Sequence, residues 1–143
     1  MTDPRYPMHK LLPLAALLLA LPAAAVVPQL QAPDEVRELL GSFLEIGEVS
    51  DAPAQAAFER RMEREVAELL ATEGYFSPSV ALRQQGEQLL LMVDPGPRSL
   101  IGNVHIDIAG DLDPARREAL VRSWKLNVGQ PFRQADWDDA KQS

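Results

Sequence analysis

The chain has 143 residues, 14 of them Lys or Arg and 21 Asp or Glu, for a net charge of −7, and it contains no cysteine. An acidic chain without a basic stripe argues against nucleic acid and anionic lipid head groups as partners, and the missing cysteines leave the fold to core packing rather than disulfides. The length suffices for one small domain and part of another.

The first segment carries Arg5, His9 and Lys10, then an apolar run at residues 11–21 and the small triplet Ala23, Ala24 and Ala25. This is the layout of a secretory signal peptide over residues 1–25, with cleavage expected after Ala25. The competing reading is an uncleaved membrane anchor, which the run is too short to support, since a spanning helix needs ~20 apolar residues. Met8, directly ahead of the basic pair, is an alternative initiator to Met1.

From residue 26 onward the pattern reads strand, helix, helix, strand, strand. Residues 26–30 form a short first strand interrupted by Pro28. Pro33 opens a helix with Asp34 and Glu35 in its first turn and Val36, Leu39, Leu40 and Phe43 as its buried stripe. A second helix is expected over residues 53–73, with Phe58, Met62, Val66, Leu69 and Leu70 on its apolar face and Gly74 as its left-handed cap. The charges between Glu59 and Glu65 read as a solvated face, with Arg61–Glu65, Arg64–Glu68 and Arg60–Glu63 at pairing distance along the helix.

After Gly74 the period changes from 3.6 to 2. Val80 and Leu82 alternate with Ala81 and Arg83, whereas Leu89, Leu90, Leu91, Met92 and Val93 run apolar without a break, and Gln85, Gly86 and Glu87 supply the turn between them. The continuous run belongs in the middle of the sheet and the alternating one at an edge. Asp94, Pro95, Gly96 and Pro97 forbid further helix or strand and mark a boundary and hinge, so that residues 26–98 form one domain.

Residues 99–143 then begin again. Val104, Ile106 and Ile108 alternate with His105 and Asp107 as a new strand. Asp113 caps a helix at Pro114 with Leu120, Val121 and Trp124 as its stripe, and Phe132 and Trp137 are spaced as a hydrophobic staple around Arg133. Residues 33–43 align with residues 114–124 at an offset of about 81, and residues 55–59 with residues 134–138 at about 79. Such a repeat means tandem modules, the second incomplete, in an α+β architecture with two helices on a three-stranded mixed sheet.

That order of elements after a signal peptide, repeated at about eighty residues, resembles the POTRA (polypeptide-transport-associated) domains of outer-membrane assembly proteins. The strings at residues 69–78, 93–98 and 129–137 look like the TamA branch of the BamA/TamA superfamily. The resemblance implies a periplasmic arm of several such domains ahead of a membrane β-barrel. Its partners would be unfolded outer-membrane protein or autotransporter clients and a TamB-like inner-membrane protein. The same features fit the arm of a two-partner secretion transporter or of a BamA-type protein, and a small exported enzyme or carrier is the alternative of another class.

Recognition by strand addition follows from the sheet pattern. An edge strand presents unpaired N–H and C=O groups to an extended segment, and the candidate edge is Ser79, Val80, Ala81, Leu82, Arg83 and Gln84. The alternative is an ordinary solvated edge blunted by Pro78 and Arg83. The pattern does not decide whether Ala81 or Leu82 turns its N–H outward. No catalytic, cofactor or metal site is expected: His105 has no second histidine after residue 25, and Ser77, Ser79 and Ser99 have none at a suggestive spacing.

Overall fold

The structure, a computed structural model, describes residues 24–142. The apolar run at residues 11–21 that reads as a signal peptide lies outside the described residues. The elements follow as β1 (Gln29–Gln31), α1 (Asp34–Phe43), α2 (Ala52–Ala71), β2 (Ser79–Gln85), β3 (Gln88–Asp94), α3 (Pro114–Ser123) and α4 (Gln134–Gln142). The architecture is α+β, and the first five elements make the expected unit of two helices on a mixed sheet.

The sheet has the order β1-β3-β2, with β1 parallel and β2 antiparallel to β3. The continuously apolar strand is the central one because a middle strand has neighbours on both sides. Leu89, Leu91 and Val93 face the helices and enter the core with Val36, Leu40, Phe58, Met62, Val66 and Leu70. On the opposite face Leu90 is buried and Met92 is 39% exposed.

Each helix of the unit begins within a residue of its expected start. The Pro33 carbonyl at the N-terminus of α1 accepts from the amides of Val36 and Arg37. The Asp51 carboxylate caps α2 by accepting from Ala54 N–H at 2.8 Å, with Pro53 in the first turn. Phe58, Met62, Val66 and Leu70 succeed one another every four residues and are buried, while Leu69 lies at the margin. Gly74 ends the helix at φ +88°, in the left-handed region that a Cβ disfavours.

Three expectations need correction in this unit. The first strand begins at Gln29 rather than residue 26, because Val26 pairs instead with Val49 in the connection between α1 and α2. Phe43 is not part of the buried stripe and stands 70% exposed. Phe43 closes α1, and its side chain lines the surface grooves beside Leu39 and Leu69 instead of the core. Of the three ion pairs expected along α2, only Arg61 with Glu65 forms among the described residues, at 3.7 Å.

The second copy reproduces the helices and not the sheet. Like α1, α3 has ten residues, and its cap is the Asp113 carboxylate accepting from Arg116 N–H at 3.2 Å. The bridge between Val26 and the α1–α2 connection has a counterpart in the bridge between Leu100 and Pro131. Residues 101–109, however, form no strand: Val104, Ile106 and Ile108 are half-buried and His105 and Asp107 exposed, but the alternation finds no ladder partner among the described residues. With no sheet beneath it among the described residues, α3 buries none of its residues, and Leu120 and Val121 are 45% and 44% exposed. The expected staple is replaced by two other aromatic pairs. Phe132 packs against Phe76, ring centroids 5.6 Å apart, and Trp137 meets Trp124 edge-on at 6.3 Å.

Candidate functional site

The candidate edge is built from the turn outward. β2 and β3 are joined by the two residues Gly86 and Glu87, with Gln85 opposite Gln88. In a hairpin of this length the pair flanking the turn is hydrogen-bonded and the alternation continues along the strand. Ser79, Ala81, Arg83 and Gln85 therefore bond to β3, and Val80, Leu82 and Gln84 turn their N–H and C=O groups to the open edge.

One contact independently fixes that assignment. The Leu82 amide donates to Oε1 of Glu59 on α2 at 3.0 Å. Glu59 is thus more than a member of a solvated charge run: it reaches from the helix across the margin of the sheet and occupies the middle donor of the edge. Val80 and Leu82 lay their side chains against the core, while Arg83 and Gln84 are exposed. The edge accordingly has an apolar inner side, a polar outer side and two outward amides, at Val80 and Gln84, on either side of a guarded one.

Asp94, Pro95, Gly96 and Pro97, expected as a hinge, form a closed turn. The Asp94 carboxylate accepts from Gly96 N–H at 2.9 Å, Pro95 is fully buried, and a Cβ on Gly96 would lie 2.8 Å from the Ser77 carbonyl oxygen. Beyond this turn the chain is braced. Arg98 donates to the Glu73 carbonyl at 2.8 Å and to its carboxylate at 3.3 Å, with its guanidinium over the Tyr75 ring. Arg133 holds the same carboxylate from the far side through two nitrogens at 3.1 and 3.3 Å. Hydrogen bonding to Glu73 is the main cause that raises the Arg133 pKa above its ordinary value, with the charges of Glu73 and Asp136 adding to it.

Main-chain bonds close the junction. Ser99 N–H donates to Gly74 C=O and Gln134 N–H to Thr72 C=O, both at 2.8 Å. A Cβ on Gly74 would sit 2.6 Å from the Phe132 carbonyl oxygen, so the two backbones approach as closely as only glycine permits. Glu73, Arg98 and Arg133 escaped the sequence reading because they lie up to sixty residues apart, yet each belongs to one of the three strings that carry the POTRA resemblance.

Elsewhere, a cavity of about 400 Å³ opens between Trp124, Trp137, Phe132, Leu126 and Val104. Trp124 Nε1 is buried there with no hydrogen-bond partner among the described residues. No group of three or more His, Asp or Glu among the described residues is placed to hold a metal ion. Compared with known protein families and with curated proteins, the chain matches none.

Proposed function

We propose that the chain is the periplasmic arm of an outer-membrane protein assembly factor, exported by its first 25 residues, in which residues 26–98 are a complete POTRA-type domain and residues 99–143 part of a second. It binds unfolded barrel or autotransporter clients, or a TamB-like partner, by adding their extended segments to β2. The observation that carries this reading is the outer margin of β2, where the amides of Val80 and Gln84 face outward beside α2 over an apolar inner side. The braced junction at Glu73 supports the same reading, since an arm that positions clients gains from a defined angle between its modules.

Backbone amide exchange tests it. On adding a synthetic peptide that alternates apolar and polar residues as a barrel strand does, the amides of Val80 and Gln84 become protected while those of Ala81 and Arg83, already paired to β3, do not change. Protection confined to other elements, with the β2 amides unmoved, would reject strand addition.

A further inference from the structure

The exposed end of α1 carries a second interaction surface. Phe43 is 70% exposed, whereas its counterpart in the repeat, Trp124, turns inward onto Trp137. The packing of the module thus does not require an aromatic at the surface here. Phe43 separates two shallow grooves. One, of about 400 Å³, runs along α1 past Leu39 towards Tyr75, and the other, of about 340 Å³, lies between the end of α1 and α2 over Leu44 and Leu69.

Carboxylates rim both grooves. Glu35 and Glu38 edge the first, Glu65 and Glu68 the second. Among the described residues only Glu65 of these four has an ion-pair partner, Arg61, and the one cation in the first groove, Arg98, is already engaged by Glu73. The surface therefore combines an aromatic knob and apolar side chains, which dominate the second groove and are fewer in the first, with negative charge short of counterions.

We propose that this face docks a cationic amphipathic segment of another protein, with apolar side chains in the grooves on either side of Phe43 and Lys or Arg side chains meeting Glu35, Glu38 and Glu68. Charge complementarity selects this occupant. A neutral or acidic segment would desolvate the carboxylates without pairing them, and a second copy of this chain would bring the same acidic face against itself. Aromatic residues set among apolar contacts are the usual anchors of such interfaces. The surface is separate from the strand edge, because neither Glu59 nor any residue of β2 lines the two grooves, so binding here is independent of strand addition.

The probe is a short leucine–lysine peptide with leucines at helical spacing, and its counterpart has glutamate in place of every lysine. With the whole chain, the lysine peptide binds, shifts the amide resonances of Leu39, Phe43, Leu44 and Leu69, and the glutamate peptide does not bind. Phe43→Ala, at a site too exposed to disturb folding, weakens binding about tenfold or more. Joint replacement Glu38→Lys with Glu68→Lys weakens it similarly and admits the glutamate peptide. Unchanged affinity in Phe43→Ala, with thermal unfolding as in the parent, would overturn the proposal. So would resonance shifts spread over the acidic surface at large, or equal binding of the two peptides.

Discussion

Oε1 of Glu59 accepts a hydrogen bond from the Leu82 amide at 3.0 Å, which ties the middle of the sheet's open edge to the helix beside it. An exposed edge strand is a hazard as well as a binding site, because any extended chain can pair with it. A carboxylate on the central donor suppresses unselective pairing while leaving the flanking amides open. A strand that adds along the whole edge has to displace it.

Glu59→Ala is therefore expected to bind an extended client peptide a few-fold to about tenfold more tightly, since the competing bond to a charged acceptor is worth about 1.5–3 kcal/mol and only part of that is recovered on displacement. Glu59→Gln keeps an acceptor oxygen and falls between the two. Titration calorimetry on the three proteins decides the matter, and tighter binding by the parent than by Glu59→Ala would show that the edge is not the site.

Proline placed at Leu82 and at Ala81 separates the two sides of β2. Leu82→Pro removes an outward amide, so the protein keeps its ladder to β3, loses the Glu59 bond and loses strand addition. Ala81→Pro removes a donor to β3, opposite Met92, and destabilises the sheet by about 1–3 kcal/mol through the unpaired carbonyl. Arg83→Ala leaves both stability and binding nearly unchanged. Thermal unfolding read alongside peptide binding checks all three, and equal destabilisation by the two prolines would contradict the register.

At the junction, Glu73→Ala removes the carboxylate shared by Arg98 and Arg133. The expected result is faster exchange at the amides of Ser99 and Gln134 with little change in the unfolding of residues 26–98. Gly74→Ala acts more strongly, because it forces a side chain into the left-handed region at a cost of roughly 1–2 kcal/mol and drives a Cβ onto the Phe132 carbonyl. A Gly74→Ala protein with parental exchange at Gln134 would mean that the two backbones are not in contact.

Residues 26–98 are expected to unfold cooperatively on their own, and residues 99–143 to show no cooperative transition. The first segment holds two helices, three strands and a shared core, whereas the second has no strand among the described residues and an α3 that buries nothing. Circular dichroism of the two separate segments against temperature is the measurement.

The sequence was sufficient to read β2 as an edge, β3 as the centre and α1 and α2 as a covering layer, because each of these rests on local periodicity. Val80 and Leu82 alternate, Leu89 to Val93 does not, and Phe58, Met62 and Val66 recur every four residues. The repeat likewise located α3, since the Asp113 cap is a local signal. Phe43, Leu120 and Val121 were misplaced for the converse reason. Periodicity tells which face of a helix is apolar, but burial also needs a partner layer, and Phe43 lies over surface grooves while α3 has no sheet beneath it among the described residues. The outward direction of the Leu82 amide depends on hairpin register, and the Glu59 contact and the Glu73 clamp join residues 23, 25 and 60 positions apart. Only the tertiary structure decided those, because long-range electrostatic partners are chosen by where packing brings the backbone together rather than by any pattern along the chain.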